Sequence, residues 1–479
     1  MDKEIREILD IFTEINQIPR ESKHEQQISD WLMTWAEKQG FTAKRDKLMN
    51  VLIHIPPTPG YEKSPVVVLQ GHMDMVCEKT PESTHDFRKD VIKVLIDGDW
   101  VHADQTTLGA DNGIAIAMAM KIATDPSIEH PELELLFTVD EETGLTGANG
   151  LSSDFLKGKI LLNIDSEDDK KFTIGCAGGR DTKIRLIKEE EVIPENFEIY
   201  KLSVSGLSGG HSGSDIHLGR ANANKLLGRV LDHIRRQVPE LRLLSLSGGS
   251  AHNAIPRDAH ALIGLPTPQV DSVSRFESFF FDLRQEYKES DPRLRIRLEK
   301  ATESPEMAYS TSTGSRIIQT LMALPHGVAA MSPTIPGLVE TSSNVATLKE
   351  ESGELTILTS QRSSVMSRLD TITRSIESVG FLAGARVESG NGYPAWQPDM
   401  DSTLLKKCTA VYEKVHKKKP VIEVIHAGLE CGVIGAKYPG MEMISFGPLI
   451  VNAHSPEEKM SISSLEKVWR FLKQLLKEL

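Results

Sequence analysis

The stretch VVVLQGHMDMV, residues 66–76, decides how this chain folds. Val66 to Leu69 is a short uninterrupted apolar run, the pattern of a strand buried on both faces. It passes through Gln70 and Gly71 straight into His72, with Asp74 two residues further on. On an extended chain, side chains two apart project the same way. Asp74 is therefore placed to hold the tautomer of the His72 imidazole from behind. Outward from this stretch the pattern repeats. Leu133 to Val139 reads as a strand ending at Asp140, Glu141 and Glu142, and Lys159 to Ile164 as another ending at Asp165. Residues 113–123 (GIAIAMAMKIA) read as a buried helix that begins just after Asp111 and Asn112. Met443 to Phe446 is a strand leading into the loop that carries His454. Strands alternating with helices predict a mainly parallel sheet covered on both faces.

The rest of the chain frames this part. Ile5, Ile8, Leu9, Phe12 and Ile15 keep helical spacing near the start, and Leu465, Val468, Trp469, Leu472 and Leu476 form one stripe near the end. From about residue 183 the texture changes to alternating strands (199–205, 258–263, 293–298, 355–360) interleaved with helices (221–238, 271–287, 314–323, 367–382). After GNGYPAWQPD (390–399) the α/β texture resumes. A chain of 479 residues is too long for one core. The predicted fold is α/β: a discontinuous catalytic domain (1–182 and 391–479) with an α+β lid domain (183–390) inserted. The lid's strands leave one sheet face open for self-pairing, which makes a homodimer through the lid an expectation.

Composition narrows the partners. With 39% hydrophobic and 26% charged residues the chain is an ordinary globular protein. Its net charge of -13 repels phosphate backbones, so nucleic acid is not expected as a partner. Cys77, Cys176, Cys408 and Cys431 form no C-x-x-C pair and are too sparse for a disulfide framework. Reduced thiols in the cytoplasm are the simplest reading. The N-terminus carries acids where a signal peptide carries bases. No apolar run approaches the ~18 residues that span a membrane, so no membrane partner is expected.

The chemistry lies in the joint placement of His72, Asp111, Glu142, Asp165 and His454. Taken singly, each has a plain structural explanation. Asp111 could cap a helix, adjacent glutamates are usually a solvated turn, and His454 could merely shape its loop. Together, one fold would bring them to a single sheet edge, beyond the carboxyl ends of the strands, where open α/β sheets bind ligands. Three carboxylates and two neutral imidazoles around two divalent ions leave one net positive charge, which a bridging hydroxide cancels. Without metals the same carboxylates would repel one another. Asp111 is the best bridge, since its two oxygens can hold two metals ~3.5–4 Å apart. His72 and Asp165 would complete one metal, Glu142 and His454 the other. Glu141 is then free to act as general base on the metal-bound water. With no cysteine among the ligands, zinc is the first expectation, with cobalt or manganese able to substitute.

At this point the chain resembles the co-catalytic di-zinc amidohydrolases that include aminoacylases, glutamate carboxypeptidases and carnosinases. Their order of His-x-Asp, Asp, Glu-Glu, Asp and a late His is matched here. LQGHMDMV (69–76), TTLGADNGIA (106–115), DEETGLTGA (140–148) and NIDSEDD (163–169) carry the likeness, continued by GCAGGR (175–180), GGHSGSDIH (209–217) and NAIPRDA (253–259). VETSSNV (339–345), YPAWQPD (393–399), HAGLECG (426–432) and AHSPEE (453–458) complete it. The closer likeness is to the family's bacterial aminoacyl-histidine dipeptidases. The resemblance implies the ligand roles above and a lid presenting His211, Asn253 and Arg362 to the substrate. His211 would polarise the scissile carbonyl or steady the tetrahedral oxyanion, and Arg362 and Asn253 would hold the peptide's carboxylate. It further implies hydrolysis of short dipeptides, Xaa-His and carnosine-like ones included. Two alternatives use the same metals, an N-acyl amino acid deacylase and an aminotripeptidase. A non-catalytic scaffold would have lost Glu141 or a ligand, and neither is lost.

Overall fold

Val67–His72 is a strand with all six residues buried, as its uninterrupted apolar run requires. It belongs to the first of two compact units in the computed structural model, which describes residues 1–267, 274–302 and 305–479. The first unit comprises Met1–Cys176, Trp396–Val424 and Leu429–Leu479, and the second Ala177–Ala395 and Ile425–Gly428.

One eight-stranded sheet organises the first unit. Its strands are β1 (Thr42–Arg45), β2 (Val51–Ile55), β3 (Val67–His72), β4 (Leu133–Thr138), β5 (Ile160–Asn163), β6 (Lys171–Cys176), β7 (Val421–Ile425) and β8 (Glu442–Ser445). They lie in the order β1-β2-β4-β3-β5-β8-β6-β7. The four central strands β4, β3, β5 and β8 run parallel. The pairs β1–β2, β2–β4 and β8–β6 are antiparallel, so the sheet is mixed. Because the central four point one way, their carboxyl ends share an edge. His72 ends β3, Glu141 and Glu142 follow β4, Asp165 follows β5, and the loop bearing His454 follows β8.

Helices cover this sheet with the residues their spacing predicts. Lys3–Ile15 buries Ile5, Ile8, Leu9, Phe12 and Ile15. Ala110–Thr124 is apolar nearly all round, although Asp111 (φ -80°, ψ 103°) and Asn112 are not helical and the regular turns begin at Gly113. Gly71 is required by its close approach: a methyl there would lie 2.8 Å from Ala115 Cβ.

The second unit is built on a nine-stranded sheet whose registered pairs are all antiparallel. Phe197–Ser205, Ala259–Pro266, Arg242–Gly248, Val339–Glu351, Glu354–Ser363 and Gly178–Ile187 are neighbours in that order. Period-two alternation sends Leu202, Val204, Ala261 and Ile263 into a core shared with Leu226, Leu227, Val230 and Ile234 of the helix Ala223–Gln237. Lys201, Ser203, Ser245, Ser247 and His260 alternate with these core residues and are not buried. Of the helix predicted over 271–287, the structure shows Glu277–Glu286, and residues 271–273 lie outside those described.

The domain limits differ from 183 and 390. The second unit begins at Ala177 because Gly178–Ile187 joins its sheet at once. It extends to Ala395 because Gly179 and Tyr393 exchange backbone hydrogen bonds (3.1 and 2.9 Å). Ile425–Gly428 also belongs to it, with Ile425 O accepting from Ala177 N–H at 3.0 Å. Sequence texture could not place that short excursion, which depends on a single backbone pairing far along the chain.

Candidate metal centre and active site

All seven residues assigned from the first unit's sequence meet at the carboxyl edge of its sheet. The two oxygens of Asp111 face different imidazoles, Oδ1 at 3.0 Å from His72 Nε2 and Oδ2 at 3.2 Å from His454 Nε2. Asp165 Oδ1 stands 3.4 Å from His72 Nε2, and Glu142 Oε2 stands 3.1 Å from His454 Nε2. Two triads result, His72–Asp111–Asp165 and Asp111–Glu142–His454, each with ligand atoms within 4.8 Å of one another and each able to hold a cation. A direct observation fits that content: Glu142 Oε1 and Asp165 Oδ1 are buried oxygens with no hydrogen-bond partner among the described residues. Glu141 closes a third group with His72 and Glu142.

Electrostatics say the same thing. Burial presses His72 toward its neutral form, yet the charges of Asp165, Asp111 and Asp74 win and hold its pKa well above the usual histidine value. Hydrogen bonds to Asp111 and Glu142 pull His454 up to about 11. Burial opposes ionisation of Asp111, but His454 and His72 hold its carboxyl below the usual range. Burial, reinforced by Asp165 and Glu142, pushes Glu141 well above the usual glutamate value, and burial beside Asp111 raises Glu142. These shifts describe a site rich in carboxylates and short of positive charge, with protons on the imidazoles standing in for cations.

Behind the ligands lies a shell that sequence reading recognised only at Asp74. Its Oδ1 stands 3.2 Å from His72 Nδ1 and accepts the Glu141 N–H at 3.1 Å. Its Oδ2 accepts from the Glu142 N–H at 3.2 Å and from Ser22 Oγ at 2.8 Å. One buried carboxylate thus fixes an imidazole and the backbone of both glutamates. Glu458, also buried, accepts the N–H groups of Leu108, Gly109 and Ala110 at 2.8, 3.0 and 2.8 Å and so holds the loop that delivers Asp111. The buried Arg20 donates to the carbonyls of Met73, Asp74 and Gly109. Glu430, fully buried, accepts from Gln70 Nε2 at 2.6 Å and Thr138 Oγ1 at 2.7 Å, and burial pushes its carboxyl up to about 7. Glu430 and Glu458 lie inside HAGLECG and AHSPEE, so the signal was present there without a role attached to it.

His211, Asn253 and Arg362 belong to the second unit. His211 Nδ1 accepts the N–H groups of Gly213 and Ser214 at 3.3 and 3.0 Å, which assigns the proton of the neutral ring to Nε2. Burial, helped by the charge of Arg362, lowers its pKa to about 4. At neutral pH His211 is therefore an uncharged N–H donor. Arg362 is buried, and among the described residues its side chain has one hydrogen-bond partner, Tyr393 Oη at 2.7 Å, and no ion pair. Asn253 is exposed, and its backbone carbonyl accepts from Ser212 N–H at 2.8 Å. His426, the first residue of HAGLECG and given no role there, lies in this unit within hydrogen-bond reach of Ser342 Oγ (2.7 Å).

An edge of this kind defines a class of enzyme, hydrolases that work with a pair of cations. The model of Peptidase family M20/M25/M40 matches residues 68–478, and the chain belongs to that family of metallopeptidases. It is 41% identical over 471 residues to the cytosol non-specific dipeptidase of Escherichia coli, covering 98% of this chain and 97% of that one. The crystal structure of aminoacylhistidine dipeptidase from Vibrio alginolyticus superposes with a TM-score of 0.90 at 41% identity, covering 98% and 96% of the two chains. The aminopeptidase PepT of Bacillus cereus, at a TM-score of 0.57 and 14% identity over 99% of this chain and 98% of that one, shares the fold. The protein is thus a hydrolase of the peptidase class. No helix among the described residues is long and apolar enough to cross a membrane.

Proposed function

We propose that this protein is a two-metal dipeptidase, cleaving unblocked dipeptides including those with a C-terminal histidine, such as β-alanyl-histidine. The observation that carries this reading is Asp111, whose two carboxylate oxygens each face a different histidine 3.0 and 3.2 Å away. Two divalent ions held by His72, Asp111, Asp165, Glu142 and His454, with zinc first among them, would supply Lewis-acid polarisation of the scissile carbonyl and activation of a water. Glu141, whose carboxylate has no hydrogen-bond partner among the described residues, takes the proton from that water and returns it to the leaving amine. Asp74 keeps Glu141 and His72 oriented for this. His211 donates its Nε2 proton to the developing oxyanion, and a neutral ring lets it do so without releasing a charge. Arg362, a buried cation with no ion pair among the described residues, fits the free carboxylate of the peptide, with Asn253 as a second donor.

Both 41% relatives carry dipeptidase names, which supports the reaction class, and one of those names specifies aminoacylhistidine substrates. A clamp on the free carboxylate measures length, since a third residue would carry that group ~3.3 Å or more beyond reach. The reading includes work in the cytosol, in line with the relative's name and four free cysteines. It also includes a homodimer formed through the second unit's open sheet face. The test compares kcat/KM for Ala-His, its C-terminal amide, Ala-Ala-His and N-acetyl-histidine with zinc, cobalt or manganese supplied. Ala-His should be cleaved best. Faster cleavage of the tripeptide or the acetyl compound replaces this reading with the tripeptidase or deacylase one.

A further inference from the structure

Arg362 is 6% exposed and carries a full charge, yet among the described residues the one side chain hydrogen-bonded to it is a neutral phenol. That phenol is held unusually firmly. Tyr393 and Gly179 exchange both backbone hydrogen bonds, at 2.9 and 3.1 Å. A methyl at Gly179 would lie 2.5 Å from the Tyr393 hydroxyl and 2.7 Å from Cε1, and one at Gly428 would lie 2.9 Å from Cε2. The ring therefore sits between two stretches of glycine backbone, closer than any residue with a side chain allows, and its rotamer is fixed by main chain. Its hydroxyl accepts from Arg362 Nη1 at 2.7 Å.

The consequence is geometrical. A guanidinium offers a carboxylate either its Nη1–Nη2 end or its Nε–Nη2 side. With Nη1 engaged, the side remains whole, and Nε is buried there without a hydrogen-bond partner among the described residues. A phenol does not neutralise the cation, so it leaves the charge available to a ligand while fixing the direction in which the charge is presented. We propose that Tyr393 is a positioning residue for substrate binding: it pins the Nη1 corner of Arg362 so that the Nε–Nη2 edge receives the peptide's C-terminal carboxylate in a bidentate contact.

This rests on Arg362 being the carboxylate clamp, and the experiment separates the two claims. Tyr393→Phe keeps the ring and its glycine packing and removes only the acceptor. It should raise KM for Ala-His about tenfold, the scale of one hydrogen bond to a charged group, with kcat within about twofold. KM for the C-terminal amide of Ala-His, which cannot form the bidentate contact, should stay unchanged. An equal rise in KM for acid and amide, or a fall in kcat with KM unchanged, overturns the positioning role. Arg362→Ala assayed alongside should raise KM for the acid further still. If Arg362→Ala leaves that KM unchanged, the clamp itself is refuted and the inference falls with it. If Arg362→Ala raises KM and Tyr393→Phe does not, the clamp stands and only the role of Tyr393 is overturned.

Discussion

Asp74→Asn is the substitution whose effect the structure defines most fully. The carboxylate is entirely buried and faces four groups: His72 Nδ1 and the Glu141 N–H on Oδ1, and the Glu142 N–H and Ser22 Oγ on Oδ2. An amide can accept on one side only. Its nitrogen is best tolerated beside Ser22, whose hydroxyl can turn and accept, and this leaves the Glu142 N–H facing a donor. An unsatisfied buried N–H costs about 1–3 kcal/mol, and the contacts that remain lose their charge assistance, adding about 1 kcal/mol. Part of this cost appears as lower stability. The rest appears at the centre, where His72, Glu141 and Glu142 lose a common anchor, so kcat/KM should fall about 10²-fold and metal affinity about 10- to 100-fold. His72, Ser22 and the Glu141 N–H hold the Asp74 carboxyl below its usual range against the cost of burial. A lowered folded-state pKa means that this stabilisation is present above the unfolded value and lost as pH falls through the folded one. The variant should therefore lose less stability than the wild type as pH falls below the ordinary aspartate value near ~4. The assay combines Ala-His kinetics at saturating metal, metal titration and thermal melts across that range. Activity within about threefold of wild type, with unchanged metal affinity, refutes the anchoring role.

Further outcomes follow from the same geometry. Glu141→Gln should lower kcat at least ~10²-fold while two metals stay bound, and metal loss or near-normal turnover in this variant means the base is misassigned. Asp111→Asn should weaken both metals together in dialysis followed by metal analysis, because each triad loses its shared anion; two ions retained tightly contradict the bridge. In metal-free protein the hydrogen bonds to Asp111 and Glu142 push the His454 pKa up to about 11. Its stabilisation is therefore complete below the ordinary histidine pKa near ~6.5 and drains away as pH rises toward the folded value. Cations must displace that proton, so metal uptake at pH 7.5 should release protons in a weakly buffered solution and tighten as pH rises. Uptake without proton release contradicts the protonated imidazoles.

Much of this site was legible because parallel strands enforce it. His72, Glu142 and Asp165 follow strands that local apolar pattern identifies, and parallel pairing brings such ends to one edge whatever lies between. Asp111 was legible as a ligand, although a helix N-cap explained it equally well when taken alone. What resolves it is the approach of two imidazoles from residues 39 and 343 positions away. The supporting groups were not legible for the same reason. Glu458 holds backbone N–H groups about 350 positions earlier, and backbone donors carry no sequence signature. Arg20, which no local pattern marks, is buried and donates to three carbonyls. The outer strands β1 and β7 of the first sheet escaped because they are short and carry polar residues within them. The domain limits slipped because pairing of Gly179 with Tyr393, not a change in composition, ends the second unit.

The most direct test of the central claim is anomalous diffraction at the zinc edge from crystals grown with zinc. The account predicts two peaks ~3.5–4 Å apart, one facing Asp111 Oδ1 with His72 and Asp165, the other facing Oδ2 with Glu142 and His454. A single peak, or two peaks with Asp111 bound to only one of them, would contradict it.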